Sequence, residues 1–236
     1  MGETMWAVMV EDDQPLKLGD VEKPECGPND VLVEIVTAGL NRADLVQRRG
    51  MYPPPAGAST IMGLECAGTI VATGASITDW SVGERVCGLM AGGGYAEFAV
   101  VDQGSLFKIP DGMSFDQAGA LPEVMMTVWA NIFDRCQFKK GESALIHGGT
   151  SGIGTMAIQM LKHAGASNIM ITAGSAEKCQ FAEQLGADRA INYREEDFET
   201  VAREAGGADV MALTTLHGWE VFAHFQSVDA AALQEV

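Results

Sequence analysis

Cations are scarce in this sequence. Its 236 residues hold 15 Lys and Arg against 32 Asp and Glu, a formal net charge of −17. A chain so acidic repels nucleic acid and anionic membrane surfaces, and neither is expected as its main partner. Cysteine is sparse too: Cys26, Cys66, Cys87, Cys136 and Cys179 are widely spaced, with no C-x-x-C pair. An odd, scattered set excludes a disulfide framework and predicts reduced thiols. No apolar run approaches the roughly 20 residues needed to span a bilayer. The first residues, MGETMWAVMV, lack a basic region followed by a long apolar one, and Trp6 stands where a myristoylation signal wants Ser or Thr. A soluble, cytoplasmic protein is the expectation. Internal repeats, low-complexity tracts and extended linkers are missing as well.

What the chain does have is 47% hydrophobic residues, enough for a proper core and for two domains rather than one. From Met5 to about Lys108 short strand patterns alternate with Gly and Pro, and Met5–Val10, Val31–Ala38, Cys66–Ala72, Val86–Met90 and Tyr95–Val101 are the expected strands. A helical insert, Asn41–Arg49, precedes the Met51-Tyr52-Pro53-Pro54-Pro55 loop. Near Ser114 the pattern switches. Ser114 can cap a short helix through Ala120, and Pro122-Glu123 opens a second, Val124–Phe133.

The stretch Gly141–Met160, GESALIHGGTSGIGTMAIQM, organises the rest. Ala144-Leu145-Ile146 reads as a buried strand, and Gly149, Gly152 and Gly154 follow. Ile153, Met156, Ala157, Met160, Leu161 and Ala164 then repeat at helical spacing until Gly165 can close the helix. A strand turning on glycines into a helix exposes backbone N–H groups beside a positive helix end, which suits a pyrophosphate. Beyond it come a strand at Asn168–Thr172, a helix at Ala176–Leu185, a strand at Arg189–Asn192, a helix through Phe198, Val201, Ala202 and Ala205, and a strand at Ala208–Leu213. This alternation predicts an α/β fold: a β-rich N-terminal domain, residues 1–122, and a parallel-sheet domain, residues 123–236.

Six segments together resemble the quinone oxidoreductase branch of the medium-chain dehydrogenase/reductase superfamily, nearest its p53-inducible NADPH quinone reductase subgroup. They are Gly39-Leu40-Asn41-Arg42-Ala43-Asp44, Tyr52-Pro53-Pro54-Pro55, Gly63-Leu64-Glu65, Gly92-Gly93-Gly94-Tyr95-Ala96-Glu97, Leu121-Pro122-Glu123 and the glycine turn. The resemblance implies a GroES-like catalytic domain followed by a Rossmann doubly wound parallel sheet, with NADPH in the cleft between them and a homodimer as the assembly. The zinc-dependent members place a Cys and a His in two of these segments, where this chain has Asn41 and Leu64. An amide and an alkyl chain cannot replace thiolate and imidazole around a tetrahedral zinc, so no metal is expected. Without a Lewis acid, the site suits a substrate that already accepts electrons, such as a quinone or an enone.

The pyrophosphate grip falls on Gly149, Ser151, Gly152, Ile153 and Gly154. About 20 residues on, an NAD-preferring site would carry a carboxylate for the ribose 2′-hydroxyl. Here the sequence is Gly174-Ser175-Ala176-Glu177-Lys178: a hydroxyl and a cation that suit a 2′-phosphate and favour NADPH. Tyr193 matches a family position near the adenosine phosphate. At the nicotinamide end the resemblance points to Asn41, Asp44 and Tyr52 as catalytic and to Thr127 for the carboxamide. Tyr52 can donate a proton or flank a quinone ring. Asp44 can instead orient Arg48 as an i,i+4 pair, and His147 reads as a strand-end residue. An alternative match to the short-chain dehydrogenase fingerprint fails, because no tyrosine is followed four residues later by lysine.

The resemblance fades after Val210. Four parallel strands are countable where the family's dinucleotide-binding fold uses about six, so the Rossmann domain is expected to be incomplete. Trp219, Val221, Phe222 and Phe225 suggest a helical patch over the exposed sheet edge. The activity expected is NADPH-dependent quinone reduction. The alternatives are an enoyl or alkenal reductase, or a shortened nucleotide-binding relative with little turnover.

Overall fold

The computed structural model of the chain describes residues 2–10, 16–215 and 218–224. It divides into two compact units, Met1–Glu123 and Val124–Val236.

In the first unit, β1 (Thr4–Met9) and β2 (Lys17–Glu22) form an antiparallel ribbon. A separate five-stranded antiparallel sheet has the order β6-β3-β4-β5-β7, built from β3 (Asp30–Ala38), β4 (Glu65–Thr73), β5 (Arg85–Leu89), β6 (Phe98–Asp102) and β7 (Leu106–Lys108). Val31, Val33, Ile70, Val86, Val101 and Leu106 fill one cluster of its core. Ala67, Cys87, Ile109 and Ala118 fill another, and Ala118 comes from α2 (Phe115–Ala118). Ser114 caps α2 in a reciprocal box with Gln117, as its position before the apolar run leads one to expect.

Helix α1 (Arg42–Arg48) fills the insert after β3. Two strands were not expected. β2, KLGDVE, is polar and mostly exposed, so no apolar alternation marks it. β7 has three residues, too few for a period. The expected strand at Tyr95 begins only at Phe98, because Tyr95 and Glu97 donate their N–H groups to Met62 and Trp6 instead.

The second unit is a five-stranded sheet of order β10-β9-β8-β11-β12. It comprises β8 (Ser143–His147), β9 (Asn168–Ala173), β10 (Arg189–Asn192), β11 (Val210–Thr215) and β12 (Gly218–His224). The first four run parallel. Alternate residues sort to opposite faces. Ala144, Ile146, Ile169, Ile171, Ala190 and Val210 pack with Ala157, Ile158 and Leu161 of α4 (Gly152–Ala164) and with Cys179 and Ala182 of α5 (Ala176–Leu185). Leu145, Met170, Ile191 and Met211 pack with Phe198 and Ala202 of α6 (Phe198–Glu204) on the other. Helices on both faces, and a first, second and third strand ordered outward from β8 with β11 on its other side, make this a doubly wound Rossmann-type sheet.

Strand β12 corrects one expectation. Trp219, Val221 and Phe222, expected on a helix, lie in a strand that pairs antiparallel with β11; Phe225 lies outside the described residues. Gly218 and the β-branched Thr214 and Thr215 favour a reversal into extended chain over continuation as a helix. The expected helix Val124–Phe133 is also two pieces. Helix α3 (Pro122–Val128) is α-helical, and Trp129–Arg135 widens to π-helical turns that end with the Cys136 N–H on the Asn131 carbonyl.

Candidate functional site

In the second unit the glycine turn lies between β8 and α4. Gly148 takes φ +68°, and the chain then enters α4 through Ser151, whose Oγ accepts from the Gly154 N–H at 3.0 Å. The Ser151 N–H is spent on the Gly148 carbonyl. Of the N–H groups at the helix head, those of Gly152 and Ile153 remain without an acceptor among the described residues.

The three glycines answer different demands. A Cβ on Gly149 would lie 2.5 Å from Ile171 Cβ, and one on Gly154 would lie 2.5 Å from the Gly148 carbonyl oxygen. Both are required by close packing. A Cβ on Gly152 would meet only Val124 Cγ1, at an ordinary 3.5 Å. The protein itself does not require a glycine there. The turn also flanks the boundary between β8 and β11, where the strand order reverses, the place at which doubly wound sheets bind ligands.

The end of β9 brings four more expected residues together. Gly174 packs so closely under Tyr193 that a Cβ would sit 2.6 Å from the phenol oxygen. Ser175 caps α5, its Oγ accepting from the Lys178 N–H at 3.3 Å. Tyr193 keeps 54% exposure, and the Lys178 side chain is exposed. Thr127 is half-buried in the last turn of α3, and its carbonyl accepts from Asn131 Nδ2 at 2.9 Å. His147 ends β8 with Nδ1 3.1 Å from Thr172 Oγ1 and its ring edge-on to Phe198. Burial holds its pKa below the ordinary value, so the ring is neutral.

In the first unit Asn41 and Asp44 are joined in a buried polar network. Asn41 is the N-cap of α1; its N–H donates to Asp44 Oδ2 at 2.7 Å, and its Nδ2 donates to Glu65 Oε1 at 2.8 Å. Tyr95 donates its hydroxyl to Asp44 Oδ2 at 2.7 Å and lies 3.2 Å from the Gly39 carbonyl. Glu65 Oε2 accepts from the Glu123 N–H at 2.9 Å. Asp44 is 4% exposed and Glu65 2%. Asp44 thus turns its Oδ2 to Tyr95 and to the Asn41 N–H. Its Oδ1 is buried without a hydrogen-bond partner.

Burial raises the Glu65 pKa; the Glu123 and Asn41 donors pull it back, and the Asp44 charge adds to the rise. Burial likewise raises the Tyr95 phenol, reinforced by the carboxylate of Asp44. Tyr52 stands apart from this network on its Pro-rich loop, 43% exposed.

Sequence reading assigned no role to Glu65, Tyr95 or Glu123. Each sits inside a motif already singled out, Gly63-Leu64-Glu65, the Gly92–Glu97 run and Leu121-Pro122-Glu123, so the signal was present without a chemical reason attached.

Leu64 is buried. Cys66 and Cys87 are buried thiols, pushed up to about 12 and about 11 chiefly by desolvation. At the two positions where the zinc-dependent members place Cys and His, Asn41 offers an amide and Leu64 an alkyl chain, neither a usual ligand of a tetrahedral zinc.

Residues 27–111 match the family model of the alcohol dehydrogenase GroES-like domain, and residues 152–218 match that of the zinc-binding dehydrogenase. The chain is 34% identical over 191 residues to the synaptic vesicle membrane protein VAT-1 homolog of Danio rerio, covering 80% of this chain and 39% of that protein. Among solved structures it resembles the Escherichia coli quinone oxidoreductase complexed with NADPH, at TM-score 0.73 and 29% identity, covering 89% of this chain and 65% of that one. It also resembles the CurK enoyl reductase, at TM-score 0.78 and 28% identity, covering 90% and 67%. The chain therefore spans well under half of the zebrafish relative and about two thirds of the two structures.

Proposed function

This chain belongs to the medium-chain dehydrogenase/reductase superfamily, with quinone oxidoreductases among its relatives, and on that premise we propose that it reduces quinones with NADPH and without zinc. The observation that carries the reading is Gly152. A position that tolerates a side chain as far as the protein is concerned, next to two N–H groups without acceptors at a positive helix end, is best explained by the close approach of a phosphate.

Gly149 and Gly154 let the turn close, Ser151 holds its entry angle, and the N–H groups of Gly152 and Ile153 receive the pyrophosphate. Gly174 lets the Tyr193 ring lie close against the end of β9, and Ser175 and Lys178 offer a hydroxyl and a cation to a 2′-phosphate. Bound NADPH supplies the hydride. Asn41 and Asp44 orient the reacting groups, Tyr52 donates a proton or flanks the acceptor ring, and Thr127 meets the carboxamide. Because Asn41 and Leu64 are not usual zinc ligands, an acceptor that needs no Lewis acid is preferred over an alcohol.

Reduction of an activated double bond is the second reading, favoured by the similarity to the CurK enoyl reductase. The test is consumption of NADPH and NADH with a quinone, an enone and an alcohol, each with and without a chelator. Faster NADPH oxidation with the quinone, insensitive to chelator, is expected, together with a Lys178→Ala variant that loses the preference for NADPH. Equal use of both nucleotides would remove the 2′-phosphate argument, and inhibition by chelator would remove the zinc-free one.

A further inference from the structure

Both oxygens of the Glu65 carboxylate are taken by donors: Oε1 by Asn41 Nδ2 at 2.8 Å and Oε2 by the Glu123 backbone N–H at 2.9 Å. Gly39 makes this possible, since a Cβ there would lie 2.0 Å from Oε1 and 2.6 Å from Cδ. A backbone N–H can only donate, so the Oε2 side admits an acceptor alone. On the other side, an ionised Oε1 can face only the NH2 end of the Asn41 amide. From its backbone, Asn41 is tied again by its N–H to Asp44 Oδ2 at 2.7 Å. The side chain is therefore held at two ends while it stays partly open to solvent.

We propose that Glu65 is a positioning residue for Asn41: by holding Nδ2 it keeps Oδ1 turned to the Asp44 N–H in the capping box of α1 and leaves the second Nδ2 hydrogen presented in a fixed direction. Asn41 then meets a ligand with a set donor and needs no rotation on binding. This rests on the reading of Asn41 as a ligand-contacting residue given above. Only a carboxylate performs the task. Glutamine has one acceptor oxygen for the two donors, so it either gives up a hydrogen bond or turns its NH2 to an Asn41 amide flipped end for end.

The first measurement needs no turnover. In the 15N spectrum of the wild-type protein, the Asn41 side-chain amide is assigned by its loss in Asn41→Ala. One of its two protons is expected to exchange markedly more slowly than those of an exposed asparagine. Two protons exchanging at the free rate would overturn the proposal. Adding NADPH to the same sample checks the functional reading separately: unmoved amide signals of Gly152 and Ile153 would sink that reading while leaving the protected Asn41 proton to decide this one.

The second measurement is a double-mutant cycle on kcat/KM for NADPH-dependent quinone reduction. Glu65→Gln and Asn41→Ala should each cost about tenfold, the scale of one charge-assisted hydrogen bond. The double variant should be no slower than Asn41→Ala alone. A Glu65→Gln loss that persists in full in the Asn41→Ala background would mean that Glu65 acts on the fold and not through Asn41.

Discussion

Gly152 differs from its two neighbouring glycines in what a methyl group would touch. Alanine at Gly149 or Gly154 forces overlap with Ile171 or with the backbone of Gly148, a cost of about 1–3 kcal/mol in a packed site. Either variant should lower the unfolding midpoint by several degrees, as read by circular dichroism. Alanine at Gly152 meets nothing closer than 3.5 Å and improves helix propensity, so the midpoint should hold or rise slightly. The NADPH dissociation constant of that variant should nevertheless increase about tenfold, a difference of about 1.4 kcal/mol. Titration of NADPH into the three variants checks the pattern, and unchanged affinity in Gly152→Ala would detach the glycine from the phosphate. At this scale the sequence displayed the glycines and their spacing but not their separate reasons, which depend on β9 passing beside Gly149 and on the turn folding back against Gly154. The Asn41, Glu65 and Tyr95 network was hidden for the same cause. Its members come from β4, from α1 and from the loop before β6, and no local pattern announces that two carboxylates will share one buried corner.

His147 belongs to the scale of elements, because it joins three of them. It ends β8, contacts Thr172 at 3.1 Å in β9 and sets its ring against Phe198 at the start of α6. Its folded pKa is depressed by burial below 6.5, so the unfolded chain binds this proton more readily than the folded one. Stability from this group is therefore complete above pH 6.5 and declines as pH falls from there through the folded value. Thermal unfolding followed from pH 8 to pH 5 should show a fall beginning near 6.5 that is absent in His147→Gln. A fall of the same size in the variant would assign it elsewhere.

Elements with a strong local code were legible. Ser175 and Gly186 bracket α5, Gly165 closes α4 at φ +82°, and Arg189–Asn192 stands as read. Elements set by tertiary pairing were not. β2 is the polar half of its ribbon with β1, β12 pairs along the edge of β11, and the π-helical run buries Ile132 and is followed by the buried Cys136, a widening that no helical period encodes.

At the scale of the whole molecule, each apolar cluster of the described residues draws on a single unit. Those of Val31, Ile70 and Val86 and of Ala67 and Ile109 draw on residues before Glu123, and those of Ile146, Ile158 and Leu161 and of Leu145 and Met170 draw on residues after it. Each unit buries a core of its own, which is the condition for unfolding by itself. The grip proposed for NADPH lies in the second unit. A ligand that binds one folded unit stabilises that unit by about 2.7 kcal/mol at a hundredfold excess over its dissociation constant, and leaves an independent unit unaffected. Scanning calorimetry should accordingly resolve two transitions, with NADPH raising the one that Gly154→Ala lowers more than it raises the one that an Ile70→Ala core variant lowers. A single transition displaced as a whole would show that the two cores unfold as one, and displacement of the Ile70-sensitive transition alone would move the nucleotide grip to the first unit.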